Sequence, residues 1–224
     1  MCIRDRIHSA LQEDIGSGDI TTECTVPENL MLTGRFIAKS AGVIAGLEVA
    51  AHVFRYLDPE VKTAFVFRDG DLVTEGDLIG TVQGPGRAIL SGERVALNFL
   101  QRMSGIATTT RRFVESVRDT AAVILDTRKT VPGLRLLDKW AVRIGGAGNH
   151  RFGLYDMALI KENHIVAAGG IRSAVAMIRK KYARSRRIEV EVTALAELEE
   201  ALGLDVEMIM LDNFSLADMR KAVE

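Results

Sequence analysis

Gly145–His164 reads GGAGNHRFGLYDMALIKENH, and its rhythm organises the rest of the chain. Gly145, Gly146 and Gly148 mark a place where a side chain is unwanted because something approaches the backbone closely. Asn149, His150 and Arg151 follow, then a short turn, an apolar strand-like run from Met157 to Ile160, and a charged end at Lys161, Glu162, Asn163 and His164. A loop rich in glycine and cations that feeds a buried strand with a polar tip suits an anion. Alone, such a loop reads as a surface turn with incidental charge. The neighbouring segments reverse that reading, because they end in the same way.

From Ala121 onward the pattern strand, charged tip, helix occurs four times. Ala122–Leu125 ends in Asp126-Thr127-Arg128-Lys129 before a helical Leu134–Ile144. Ala158–Ile160 ends in Lys161-Glu162-Asn163-His164 before Ile171–Tyr182. Ile188–Val192 carries Glu191 and is followed by Thr193 and helical Leu195–Leu202. Met208–Leu211 ends in Asp212-Asn213, and Ser215 is placed to cap a last helix. Continuous apolar strands alternating with helices call for a parallel sheet covered by helices, with the site at the carboxyl ends of the strands. An eight-stranded barrel takes about 250 residues, so four strands predict an open sheet or a chain lacking its end; the second is the stronger reading.

Upstream the pattern differs. Leu11–Thr22 begins as a helix and breaks at Gly16 and Gly18. Strand-like stretches lie near Gly34–Gly42, Lys62–Phe67, Leu72–Val73, Leu78–Val82 and Ala88–Leu90, with a helical run over Leu47–Leu57. This half predicts a small, mostly antiparallel sheet with one or two helices. Glu93–Val117 reads as a long helix or a pair broken at Gly105, with Arg94 at its start. The expected organisation is an N-terminal α/β sandwich over residues 1–97 and an incomplete α/β barrel over residues 98–224. Met1–Arg6 matches no pattern.

Composition narrows the function classes. A net charge of −1 argues against general nucleic-acid or membrane affinity, and the basic run Arg179–Arg187 reads as a helix end with solvated charge. No apolar run reaches the ~20 residues of a membrane span, and the start lacks the apolar stretch of a signal peptide. The two cysteines, Cys2 and Cys24, have no metal-like or disulfide-like spacing, which fits a reducing cytoplasm.

The strand tips sort by sign. Arg128, Lys129, His150, Arg151 and Lys161 are potential cations, and Glu191 and Asp212 are acidic. That surplus of cations suits a small polyanion gripped by its carboxylates or phosphates. The two acids suit sugar hydroxyls or Mg²⁺, which accepts one or two carboxylates and completes its shell with water and phosphate oxygens. The alternative is a ring of salt bridges joining strand ends. Glu189, deeper on its strand, reads as a buried structural group.

Taken together, EDIGSGDITT at Glu13–Thr22, ERVALNFLQRMSGIAT at Glu93–Thr108, DTRKTVPGLR at Asp126–Arg135, GNHRFGLYDMALIKENH at Gly148–His164, EVEV at Glu189–Val192 and LDN at Leu211–Asn213 closely resemble the nicotinate-nucleotide pyrophosphorylases (carboxylating), also called quinolinate phosphoribosyltransferases. The resemblance runs from about residue 11 to the end. It implies an α/β sandwich followed by an α/β barrel of type II phosphoribosyltransferases. It also implies conversion of quinolinate and phosphoribosyl diphosphate to nicotinate mononucleotide, diphosphate and CO₂ with Mg²⁺, in NAD biosynthesis.

Position by position, the resemblance places Arg128, Lys129, His150, Arg151 and Lys161 around quinolinate. Arg94 would reach the same ligand from the partner subunit of a homodimer. Glu191 and Asp212 would serve the ribose and Mg²⁺, in part through water, and Lys129 and Lys161 would also meet phosphate. Lys129, Lys161, Glu191 and Asp212 are the expected catalytic set. A paralogue with another acceptor, and an inactive anion-binding fragment, are the competing expectations.

Overall fold

The computed structural model describes residues 2–224; Met1, part of the stretch that matches no pattern, lies outside them. The chain divides into two compact units at the bond between His150 and Arg151.

The first unit opens with α1, Ile3–Ile15, in which Ile7 and Leu11, one turn apart, are buried. Its first turn takes in Ile3–Arg6, and α1 ends at Gly16 with a positive φ. Next come α2 (Ile20–Thr25), capped by Asp19 accepting from the Thr22 amide at 3.0 Å, then β1 (Met31–Ile37) and β2 (Gly42–Val43). After these the chain forms α3 (Leu47–Leu57), β3 (Lys62–Phe65), β4 (Leu72–Val73) and β5 (Leu78–Pro85). The order β1-β5-β3 and the pair β2-β4 are antiparallel, as expected. In α3, Leu47, Ala50, Ala51 and Phe54 form one apolar stripe that enters the core.

The helix α4 spans Gly86–Ser116, 31 residues, about 46 Å at 1.5 Å per residue. Ala88–Leu90, expected as a strand, forms part of its first turns. A three-residue apolar run fits either period, and the period that continues here is helical, through Ile89, Gly92, Val95, Ala96 and Phe99, all buried. Nor does α4 break at Gly105, which faces open space. Its polar side chains support a loop beside it: Thr108 Oγ1 accepts from the Val43 amide at 2.8 Å and Ser104 Oγ from that of Ala45 at 3.0 Å. The unit closes with α5, Arg135–Ile144.

Ala122–Leu125, expected as the first parallel strand, is reduced to a single parallel bridge between Leu125 and Gly148. Val123 is 71% exposed and Leu125 43% exposed, so this apolar run lacks the burial that sustains a central strand. The glycines after α5 have packing reasons. A Cβ on Gly145 would lie 2.7 Å from the Ala107 carbonyl and 2.6 Å from Thr110 Cβ on α4; one on Gly148 would lie 2.7 Å from Leu125.

In the second unit come β6 (Ala158–Ile160), α6 (Glu162–Ala168), α7 (Ile171–Tyr182), β7 (Ile188–Val192), α8 (Leu195–Leu202), β8 (Met208–Leu211) and α9 (Leu216–Val223). The strands form a parallel sheet in the order β6-β7-β8. Ile160, Ile188, Val190 and Val192 pack with Val175 and Leu198 from the helices. Ser215 caps α9 by accepting from the Asp218 amide at 3.1 Å. The helix α6 departs from expectation: Lys161 is its N-cap, so the rest of the charged tip is a helical turn. Within the basic run Arg179 is bonded to Asp205 and Glu207 and Arg184 to Asp205, while residues 180–187 are exposed, as a helix end with solvated charge requires.

Before β6 the chain is tied by Asp156, whose carboxylate accepts from the amides of Phe152 at 2.6 Å and Gly153 at 2.8 Å. Burial works to raise this carboxyl, but those amides and the Arg151 charge outweigh it and hold it below the ordinary 3.8.

Two expectations follow. Gly145 has an ordinary helical φ of −67°, so Gly145→Ala tests the overlap with α4 alone: a loss of about 1–3 kcal/mol, seen as a lower Tm, is expected, and an unchanged Tm would show that α4 and α5 part freely. For Asp156 the folded form binds its proton more weakly than the unfolded form. Its contribution is therefore present above pH 3.8 and lost as pH falls through the lowered value. Asp156→Asn should flatten that acid limb in a Tm-against-pH series; superimposable limbs would contradict the assignment.

Candidate active site

The first unit gathers a buried polar cluster around Asp126, which follows the Leu125–Gly148 bridge. Its carboxylate, 7% exposed, accepts from Lys139 Nζ, from Asn149 Nδ2 at 2.7 Å and from the His150 amide at 2.8 Å. Lys139 Nζ also donates to the His150 carbonyl at 3.0 Å, and Asn149 Nδ2 to the Lys139 carbonyl at 2.9 Å. The helix α5 presents Lys139 because Leu137 and Ala141, one turn apart, anchor its buried face. Asp138 beside it takes a two-pronged bond from Arg102 on α4, at 2.8 Å each. The Asp138 bond pushes the Arg102 guanidinium above its usual pKa.

Arg128 and Lys129 leave this cluster by two and three residues. The Arg128 Nε is buried and has no hydrogen-bond partner among the described residues. An N–H left so costs roughly 1–3 kcal/mol, and an anion would satisfy it. Lys129 is exposed, and its side chain has no partner among the described residues. Its backbone is turned by Thr127, whose Oγ1 accepts from the Lys129 amide at 3.1 Å. Arg94 is likewise exposed and unpaired among the described residues. It lies more than two turns into α4 rather than at the helix start, because α4 begins at Gly86.

The second unit gathers the other expected residues at the carboxyl ends of adjacent parallel strands. Lys161 follows β6, Glu191 is the penultimate residue of β7, and Asp212 follows β8. Lys161 Nζ is ion-paired with Glu191, whose side chain is 13% exposed. The Asp212 amide donates to the Val192 carbonyl at 2.9 Å, and its carboxylate accepts from Asn213 Nδ2 at 2.9 Å. His164 Nδ1 accepts from the Lys161 amide at 3.0 Å, which places any ring proton of the neutral form on Nε2. Arg151 Nη1 donates to the Met157 carbonyl at 3.2 Å, and Arg151 and His164 border a cleft of about 460 Å³ with Leu159, Ile160 and Ala167. Glu189, read as structural, is 3% exposed.

A separate cleft of about 580 Å³ in the first unit, between α4 and Ile124–Asp126, is lined mainly by apolar groups such as Ile106, Phe113 and Val142. None of the expected site residues lines it. Among the described residues no three His, Cys, Asp or Glu side chains are grouped to hold a metal ion. Glu191 and Asp212 supply an oxygen-only pair, which fits a hard divalent cation that takes its other positions from water and phosphate. Sequence reasoning assigned no role to Asp126, Lys139 or Asn149. The available signal was a lysine set between Leu137 and Ala141 on a helix whose apolar side must be buried.

The chain matches the family models for the quinolinate phosphoribosyl transferase N-terminal domain over residues 19–104 and C-terminal domain over residues 106–224. It is 45% identical over 216 residues to a probable nicotinate-nucleotide pyrophosphorylase [carboxylating] of Synechocystis sp., covering 96% of this chain and 72% of that protein. It is 44% identical over 217 residues to a quinolinate phosphoribosyltransferase [decarboxylating] of Nicotiana tabacum, covering 92% of this chain and 61% of that one. Among solved structures, NadC from Streptococcus pyogenes superposes with a TM-score of 0.95 at 44% identity, covering 99% of this chain and 78% of that chain. The chain therefore spans 61% to 78% of the length of these relatives. Its architecture, an antiparallel α/β sandwich followed by parallel β/α units, is that of the type II phosphoribosyltransferases. Matched across both domains and at this identity, the chain belongs to the quinolinate phosphoribosyl transferase family.

Proposed function

We propose that this chain transfers the phosphoribosyl group of phosphoribosyl diphosphate to the ring nitrogen of quinolinate, with loss of CO₂, to give nicotinate mononucleotide and diphosphate in NAD biosynthesis. Support comes from the names of its relatives, nicotinate-nucleotide pyrophosphorylase [carboxylating] and quinolinate phosphoribosyltransferase [decarboxylating]. The observation that carries the reading to this chain's own residues is Arg128, whose buried Nε lacks an acceptor beside an unpaired Lys129.

In this reading Arg128, Lys129, His150, Arg151 and Lys161 receive the two carboxylates of quinolinate, and Lys129 and Lys161 also meet phosphate. Arg94, exposed on α4, reaches the same ligand from the partner subunit of a homodimer. Glu191 and Asp212 accept from ribose hydroxyls. Mg²⁺, when held by this pair in part through water, supplies positive charge to the diphosphate.

No protein nucleophile is needed. The bond between ribose C1 and diphosphate breaks, the ring nitrogen attacks the cationic carbon that results, and the site's tasks are alignment and charge stabilisation. Loss of CO₂ then leaves an electron pair on the ring carbon beside the pyridinium nitrogen. The surrounding cations stabilise that pair until a proton replaces the lost carboxylate. The Lys161–Glu191 pair fits such an exchange of partners, since substrate anion can take the ammonium and sugar hydroxyls the carboxylate.

Among the described residues no helix is long and apolar enough to cross a membrane. Cys2 and Cys24 are exposed free thiols, which suits the cytoplasm.

Incubation with both substrates and Mg²⁺ should release nicotinate mononucleotide and CO₂ in equal amounts. Arg128→Ala removes a desolvated charged contact of about 2 kcal/mol or more, so quinolinate affinity by calorimetry should fall roughly thirtyfold with little change in Tm. Wild-type affinity in that variant would remove Arg128 from the site.

A further inference from the structure

Lys139 is 3% exposed, and the reaction sketched above gives it nothing to do. A lysine so buried is costly unless paired, and its partner Asp126 is buried as well. What the pair touches explains its placement. The His150 main chain is held at both of its polar groups: its amide donates to Asp126 at 2.8 Å and its carbonyl accepts from Lys139 at 3.0 Å. Asn149 Nδ2 braces the arrangement from outside, donating to Asp126 at 2.7 Å and to the Lys139 carbonyl at 2.9 Å.

The backbone alone gives these segments little support. In the second unit, strands of three to five residues fix the tips they carry. Here the ladder is one bridge, with Gly148 donating to Ile124 at 2.9 Å and Asp126 to Gly148 at 3.2 Å. Beyond that bridge one segment runs on to Arg128 and Lys129 and the other to His150. A single rung leaves both free to pivot. The charged pair, anchored on α5, supplies the constraint that further rungs would otherwise give.

We propose that Lys139 and Asp126 are positioning residues, a buried ion pair that locks the His150 main chain against the Asp126–Lys129 turn and so sets the spacing of the cations that grip a pyridine dicarboxylate. This rests on the reading of the substrate above. Spacing matters for a ligand held at two carboxylates and much less for one held at a single carboxylate. The pair therefore governs the preference for quinolinate over nicotinate, a pyridine with one carboxylate.

Lys139→Met and Asn149→Ala test this, using calorimetry with quinolinate and with nicotinate and hydrogen exchange of backbone amides. Lys139→Met should weaken quinolinate at least tenfold, reduce its advantage over nicotinate by a similar factor, and speed exchange of the His150 amide while α3 and β5 stay protected. Asn149→Ala, which alters an exposed side chain and leaves the ion pair in place, should move the same readouts by about threefold. If Lys139→Met loses protection throughout the unit, Asn149→Ala decides. Quinolinate affinity within twofold of wild type and an unchanged preference in the deciding variant overturn the proposal. Should the unaltered chain show no saturable heat with quinolinate, the substrate reading fails and exchange alone judges the clamp: a His150 amide as protected in Lys139→Met as in wild type overturns it.

Discussion

Main-chain polar groups that lie outside a sheet or helix must still find partners, and in this fold single side chains meet that demand at the places that matter. Thr108 and Ser104 on α4 hold the turn before α3. Asp69 accepts from the amides of Gly46 and Leu47 at 2.9 and 3.1 Å and so caps α3, whose own N-cap is a glycine without a side chain to use. Asp126 and Lys139 hold His150, and Asp156 holds the turn after Arg151. All of these partners but Asp156, which lies in the turn it holds, are reached across space from another segment. The cation-bearing loops are therefore held by side chains, and their placement is only as good as the burial of those side chains.

The elements legible in the sequence are those whose packing follows one period. The helix over Leu47–Leu57 and the strands Ile188–Val192 and Met208–Leu211 lie where their apolar positions put them. The misread segments are those whose local pattern was overruled by what lay beside them. Ala88–Leu90 has a strand's composition, but its continuation has a helix's spacing, and the longer pattern wins. Ala122–Leu125 is apolar enough for a buried strand yet holds one bridge, because pairing depends on a neighbour that sequence alone does not place. The first turn of α1 was unreadable because Ile3, Ile7 and Leu11 recur among charges.

The candidate site was legible to the degree that its chemistry sits in contiguous motifs. Asp126-Thr127-Arg128-Lys129 and Lys161-Glu162-Asn163-His164 announce themselves by charge at the end of an apolar run. Lys139 does not, because a lysine in the middle of a helix has the same appearance whether it faces water or a buried carboxylate. Only the tertiary position of α5 distinguishes the two, and that depends on Gly145 letting the end of α5 lie against α4.

The two halves of the charge pattern are stored differently, and this bears on how binding energy is used. In the second unit Lys161 is neutralised by Glu191, so an incoming anion must displace a carboxylate before it gains the ammonium. In the first unit Arg128 presents a buried N–H with no acceptor among the described residues. Its desolvation is already a cost to folding rather than to binding, and a carboxylate arriving there has less water to remove from its partner. Such preorganised donors return more on binding than mobile, hydrated ones. In the function proposed for this chain, Arg128 of the first unit is thus a donor already desolvated before an anion arrives, whereas Lys161 of the second unit is a donor that must first part from Glu191.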